Sequence, residues 1–275
     1  MLITSKDWSV QPSGTAALNP TLAGLGFTHA WSWSDGPDLP SNRLSGNQLS
    51  IGAGSATATP TPQGRGLYLS GSTQQRLTVG SNPFGTSTCT ILVVEALSGD
   101  GTLSQGQVLT DSRYSATSQA SNTGSLQFRK VGNGYQTLRA QVAVTLSATN
   151  CRVDRMLNAA AVTVAGNNGR HAIIANGFLA GEATPTASYT HGTSAIGNST
   201  YTASSQEVRM SGPLYFLAFA PKVIPDAELV RLTSRKWGVF APRRIWVPVT
   251  AVGGGGFKSA WARGCNTVIS SGARP

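Results

Sequence analysis

Only eleven Asp and Glu residues, three His and three Cys stand in this chain of 275 residues, and most enzyme chemistry draws on these types. Glycoside hydrolysis needs two carboxylates about 5–10 Å apart. Alternate positions of one strand would bring them together, as in an E-x-D-x-E pattern, yet no two acids share that spacing on a strand. Glu95 stands alone in an apolar run, and Asp226 and Glu228 fit the start of a helix. His29, His171 and His191 have no acid beside them and no HxxxH spacing. Serine is abundant, but neither a G-x-S-x-G elbow nor a G-x-x-x-x-G-K-[ST] phosphate loop occurs. Cys89, Cys151 and Cys265 are odd in number and lack CxxC spacing. They read as free thiols of a protein folded in a reducing cytoplasm rather than as a disulfide frame or a zinc site.

Binding chemistry has more candidates. Asp35, Asp38 and Asn42 share one turn-rich loop and offer the hard oxygens that calcium takes, although Asp-Gly and Pro-Asp are also ordinary turn chemistry. With no other metal or cofactor signal, the expectation is no cofactor, with calcium as the one candidate. A sugar held without metal needs aromatic faces flanked by amides and hydroxyls. Trp31, Trp33 and Tyr135 are expected to be core. Tyr189 and Tyr201 lie among Thr, Ser, His and Gly and are the glycan-binding candidates, expected at the surface.

These residues need a frame, and the composition indicates which. Hydrophobic residues are 40% of the chain but charged ones only 12%, with 32 Gly and 14 Pro. Short strands and tight turns suit such a chain better than helices, whose wet faces carry Glu, Lys and Arg. His29–Trp33 alternates as a half-buried strand would, and Gly66–Gly71 is a short strand between glycines. Cys89–Ala96 (CTILVVEA) reads as the central buried strand. Gln141–Leu146 and Ala161–Val164 alternate again. HAIIANGFLA (171–180) is a hairpin closed by Asn176-Gly177, and Pro213–Phe219 is another buried strand. Ser34–Gly46, Gly52–Thr61 and the run Gly253–Gly256 read as loop and linker. One late helix is marked by Pro225 and the acids Asp226 and Glu228. Arg231, Arg235 and Lys236 fall in its last turns, and Gly238 is its expected left-handed cap.

The fold expected is therefore all-β. It is a two-sheet antiparallel jelly-roll sandwich with one short late helix and extended N- and C-terminal arms. Residues 1–26 form the N-terminal arm, 27–238 the sandwich, and 239–275 a basic, aromatic tail with a glycine linker at 253–256. The formal net charge is +10, and eight Lys and Arg with no acid lie between Arg231 and Pro275. The tail's bases alternate with aromatics instead of forming the dense run that phosphate binding favours. Aromatic and arginine residues are the types enriched at protein interfaces. No signal peptide is evident in MLITSKDWSV, and no stretch approaches the ~18 apolar residues of a membrane helix.

The order of elements from Gly64 to Leu232 resembles the laminin-G and concanavalin A-like jelly rolls. The carriers are GRGLYLSG, TCTILVVEA, the hairpin Ile174–Phe178, the strand Ser194–Gly197, and the pair Met210–Phe216 and Ile224–Leu232. Lys236–Val249 (KWGVFAPRRIWVPV) and Phe257–Asn266 (FKSAWARGCN) resemble the closing segments of bacteriophage and prophage virion proteins that carry such a domain. The loops between Asp100 and Asn150 have no counterpart there. The resemblance implies a non-enzymatic structural component of a tailed-phage particle, a head decoration or a tail or baseplate protein, made in the host bacterial cytoplasm. Its expected partners are other virion proteins and copies of itself, with no membrane and no specific nucleic acid. Arg243, Arg244, Trp246, Phe257, Trp261 and Arg263 are the attachment candidates. A carbohydrate-binding module for host surface glycans is the alternative, and a glycan hydrolase the second alternative.

Overall fold

A computed structural model describes residues 18–33, 40, 43–44, 49–53, 55–70, 76–79, 82–84, 87–98, 107–112, 126–139, 143–189, 191, 194–197, 210, 212–240, 261–263 and 266–268. The strands are β1 His29–Ser32, β2 Leu49–Ala53, β3 Ser55–Thr61, β4 Gly64–Ser70, β5 Arg76–Val79, β6 Thr88–Glu95, β7 Gln107–Asp111, β8 Leu126–Val131 and β9 Gly134–Arg139. They continue with β10 Ala143–Ala148, β11 Asn158–Ala165, β12 His171–Ala175, β13 Phe178–Ala183, β14 Ser194–Gly197 and β15 Leu214–Ala220. A first sheet has the order β13-β12-β11-β6-β15-β4-β3, with β1 also on β15, and a second runs β10-β9-β8-β7-β14-β5-β2. All pairings are antiparallel, so the molecule is the expected two-sheet sandwich, with CTILVVEA central in the first sheet.

One apolar cluster fills the space between the sheets, including Trp31, Trp33, Leu67, Ile91, Val93, Phe128, Tyr135, Ile196 and Phe219. A second covers the outer face of the first sheet. There helix α2 (Asp226–Ser234) packs Leu229 and Leu232, helix α1 (Thr21–Leu25) packs Leu22, and Trp237 and Phe240 close the layer. The first sheet is thus buried on both faces, which is why β1 and β15 show no exposed position. The half-buried strand expected at His29–Trp33 is a fully buried one. A register shift between Leu214 and Phe216 turns Tyr215 and Phe216 together toward the helical side, as a bulge does.

Sandwich packing extends past residues 27 and 238. Leu18 bridges Phe240, the Asn19 amide donates to the Val239 carbonyl at 2.8 Å, and the Asn19 side chain donates to Gly238 at 2.9 Å. Beyond Phe240, residues Trp261–Arg263 (β16) and Asn266–Val268 (β17) pair as a two-stranded ribbon. The stretch Gly52–Thr61, expected as loop, is instead mostly strand. SATATPT hydrogen-bonds along β4, with Ala58 buried and Thr57 and Thr59 outward. Alanine and threonine alternating at period two supply a weak but sufficient apolar face, and Pro60 is tolerated because β3 is an edge strand. The helix also ends earlier than expected. Arg235 is extended (φ −113°), Lys236 lies in the following turn, and Gly238 is not left-handed. Glycine is needed there for space, since a Cβ would lie 2.8 Å from the Leu232 carbonyl oxygen.

Between the sheets sits one buried ion pair. Glu95 on β6 accepts from Arg152 Nε at 3.2 Å and Nη2 at 3.3 Å, and from the Tyr135 hydroxyl on β9 at 2.6 Å. The Glu95 carboxylate also takes the Leu97 amide at 2.5 Å, and Arg152 donates to the carbonyls of Gly132 and Leu97. Both side chains are wholly buried. Removing one member of such a pair strands the other in low dielectric, which typically costs about 3–5 kcal/mol. Glu95→Gln is therefore expected to lower unfolding stability by about that amount in urea melts; a loss below about 1 kcal/mol would show that the pair is not holding the sheets.

Candidate functional site

The loop 149–157 that carries Arg152 also walls an open cleft of about 440 Å³ at one end of the sandwich. Cleft lining comes from Asn150–Val153, Met156–Asn158, Asn176, Phe178 and Lys236. Three pieces of chain meet there: the loop 149–157, the β12–β13 turn, and the turn that follows α2. Two asparagines hold them together. Asn158 accepts from the Val153 amide at 2.9 Å and donates to the Val153 and Met156 carbonyls at 2.8 Å. Asn176 donates to the Cys151 carbonyl at 2.9 Å and to Asn158 at 3.0 Å, and it accepts from the Ala159 amide at 3.1 Å.

The turn itself follows from sequence. Asn176 (φ 50°) and Gly177 (φ 93°) occupy the two left-handed positions of a type I′ hairpin. A Cβ on Gly177 would lie 2.9 Å from the Ser234 Cα, so glycine also lets the hairpin dock on the end of α2. The Gly177 amide donates to the Thr233 hydroxyl at 3.2 Å.

Over this polar floor stand apolar groups left in solvent. Phe178 is 46% exposed, Met156 57% and Val153 60%. The ammonium of Lys236 donates to Asn176 Oδ1, and its half-buried position pushes its pKa down to about 8. Arg152 lines the cleft, but its guanidinium is turned inward to Glu95. Cys151 is buried and burial raises its thiol pKa, which disfavours a thiolate. Among the described lining residues there is no carboxylate and no histidine. The arrangement combines an aromatic face, flexible aliphatics, amides and one ammonium.

The structure places the sequence candidates elsewhere. Tyr189, expected at the surface, is buried at 6% exposure. Its ring lies 5.4 Å from His171 and parallel to His191 at 6.2 Å, and its hydroxyl donates to Thr145 at 3.3 Å. The described small polar residues just before it, Thr184, Thr186 and Ser188, are exposed in the connection that follows β13, while the ring itself packs in the sandwich core. Trp31, Trp33 and Tyr135 are core, as expected. Asp35, Asp38, Asn42, Tyr201, Arg243, Arg244, Trp246 and Phe257 lie outside the described residues. Trp261 and Arg263 fall on the β16–β17 ribbon. Among the described residues, no cluster of three His, Cys, Asp or Glu side chains is placed to hold a metal ion. Sequence alone did not point to Phe178 or to Lys236 as site residues. The hairpin motif was the available signal for the turn, but only the sheet order shows that Phe178 lies on an edge strand, where an apolar side chain need not be buried.

The fold is an antiparallel jelly-roll sandwich, with a cleft formed by a loop and a hairpin at one end. No protein-family model matches the chain, and no curated protein sequence does. Solved structures do resemble it. Domain 4 of AbnA, an extracellular GH43 arabinanase from Geobacillus stearothermophilus solved in complex with arabinotriose, aligns at TM-score 0.54 and 10% identity, covering 76% of this chain and 98% of that one. The botulinum neurotoxin serotype D binding domain aligns at 0.54 and 10% identity over 82% of this chain. Trypanosoma rangeli sialidase in complex with 2,3-difluorosialic acid aligns at 0.53 and 14% identity over 80%. The chain spans 57% and 36% of these last two. At such identities the likeness shows the sandwich fold.

The His171–Tyr189–His191 stack has a consequence for stability. Burial lowers the pKa of His171 and of His191 to about 4, from an ordinary 6.5. The unfolded chain therefore takes up protons first as pH falls, and stability present above pH 6.5 is lost progressively toward pH 4. For fully buried His171 the slope is at most about 1.4 kcal/mol per pH unit, and less for the part-exposed His191. Thermal melts are expected to show a shallower fall over this window for His171→Gln than for the unmodified chain. An identical slope would contradict the assignment.

Proposed function

We propose that the protein is a non-catalytic, lectin-like sandwich that binds a glycan in the cleft beneath Phe178. The observation that carries this reading is the cleft itself. A ring 46% exposed lines the same cleft as amides that are already fixed by backbone contacts, so the surface is formed before a ligand arrives. An aromatic face with nearby polar groups is how proteins take the apolar side of a sugar ring. The arabinotriose complex of a domain with this fold supports the reading. Hydrolysis has less support, because it requires two available carboxylates. Glu182 and Asp226 do converge, but on the guanidinium of Arg170, at 2.7 and 2.6 Å, which ties the β13 edge to the start of α2.

A second observation favours a place for this domain. The resemblance of Lys236–Val249 and Phe257–Asn266 to the closing segments of phage virion proteins supports a structural component of a tailed-phage particle. In this reading the sandwich is displayed and the basic, aromatic segment after Phe240 fastens it to other virion proteins or to copies of itself. Leu18 and Phe240 pair as a bridge, which brings the two ends of the described sandwich together on its helical side.

Two experiments test these readings. On a glycan array the full-length protein is expected to bind a restricted set of saccharides. Phe178→Ala is expected to weaken that binding about tenfold to a hundredfold, the equivalent of losing one well-buried aromatic contact. Flat binding to every sugar, or binding indifferent to Phe178→Ala, would remove the glycan reading. For the virion reading, a chain lacking Gly253–Pro275 is expected to melt like the full protein yet be missing from purified particles. Normal incorporation of the truncated chain would refute the attachment role.

A further inference from the structure

We infer that the saccharide taken by the cleft is an anionic one, whose acidic group, carboxylate or sulfate, pairs with the Lys236 ammonium while its ring lies on Phe178. The inference rests on the glycan reading of the cleft and specifies the ligand's charge.

The charges around the cleft lead to it. Four other ionised groups lie near, and they satisfy one another. Arg152 is bound to Glu95, and Asp154 sits 3.5 Å from Arg152 and 3.7 Å from Arg155. Two cations thus offset two anions. Lys236 feels the attraction of Glu95 at a distance, but among the described residues no carboxylate is in ion-pair contact with its ammonium. Its ammonium carries three N–H donors. One goes to Asn176 Oδ1, and that acceptor is a neutral amide oxygen already shared with the Ala159 amide. Two donors remain for a ligand.

Position adds to the argument. Lys236 is half-buried between the β12–β13 turn and the loop 149–157, so its charge is partly withdrawn from water with no carboxylate in contact among the described residues. Such a group is costly for the free protein, and an incoming anion offsets that cost as well as adding its own attraction. The same burial lowers its pKa to about 8, outweighing the opposing attraction of Glu95. The rest of the lining cannot substitute for it: Asn158 and Asn176 have their amide groups engaged with backbone, and Asn150 is bound to Asn133. What Phe178, Met156 and Val153 offer is apolar. A neutral sugar would find stacking here but few unclaimed polar partners; an acidic one finds both.

The test measures affinity of the full-length protein for three saccharides of similar backbone: neutral oligogalactose, oligogalacturonate and a sulfated galactose oligomer. Both acidic saccharides, or one of them, are expected to bind more tightly than the neutral one. Lys236→Met is expected to erase that preference, lowering acidic-saccharide affinity about 10- to 100-fold, as loss of a charged hydrogen bond does. Lys236→Arg is expected to retain most of it, which separates lost charge from lost fold. Lys222→Met is the control for general charge, since Lys222 is exposed and away from the lining. Several results would overturn the inference. An effect of Lys222→Met equal to that of Lys236→Met would make the preference a property of overall charge. Tighter binding of oligogalactose, unaffected by Lys236→Met but lost in Phe178→Ala, would refute the acidic ligand and leave the glycan reading standing. No binding of any saccharide, together with a dimer in sedimentation that Phe178→Ala dissolves, would overturn both and make the cleft a contact between copies.

Discussion

The Glu95–Arg152 pair is the constraint from which the rest of the structure follows. A carboxylate at the end of a central, almost wholly buried strand is costly unless it is paired and hydrogen-bonded. Glu95 meets that requirement by reaching across the sandwich to Tyr135 and by drawing in Arg152 from the loop after β10. The guanidinium then holds the Gly132 and Leu97 carbonyls, and the Asn133 carbonyl accepts the Cys151 and Arg152 amides at 3.1 Å. A loop that would otherwise be free at the sandwich's end is fixed along its length. Its outer side becomes the wall of the cleft, with Val153 and Met156 turned to solvent because the inner side is occupied by charge and hydrogen bonds.

The second determinant is the doubly covered sheet. Helix α2, Trp237 and Phe240 bury the outer face of β11, β6 and β15, and the β12–β13 hairpin docks on the end of α2 through Gly177. This docking brings Lys236 beside Asn176 and puts the exposed ring of Phe178 next to both. The cleft is therefore a by-product of two separate packing solutions, one inside the sandwich and one outside it, that meet at the same end. Binding surfaces at the loop ends of rigid sandwiches are a common arrangement. Here the rigidity comes from an ion pair, two asparagines and a glycine, and Phe178 and Lys236 are carried on that rigid frame.

Local patterns in the sequence carried much of this architecture. The β-branched run at 89–96, the Asn176-Gly177 turn and the apolar run at 213–219 each mark a strand or a hairpin by themselves, and each is where the pattern puts it. What the pattern could not carry was contact at long range. Glu95 and Arg152 are 57 positions apart, so Glu95 read as an isolated acid. Tyr189 read as exposed because its neighbours in sequence are polar, although its neighbours in space are His171 and His191. SATATPT looked like low complexity because alanine contributes little hydrophobicity, yet its period matched a strand. Lys236 looked like a helix-end charge; the helix stops two residues earlier, at Ser234, and the following turn points the ammonium to the hairpin.

The central claim is that the cleft beneath Phe178, held in shape from behind by the buried pair, is where ligand binds. The most direct measurement is a titration of isotopically labelled full-length protein with oligogalacturonate, followed by NMR. The account predicts that shifts concentrate on residues 150–158 and 176–178, with the Phe178 ring and the Lys236 side chain among the most affected. Shifts confined to the far face of the second sheet, around Ser50, Thr78 and Gln136, would place the ligand elsewhere and contradict it.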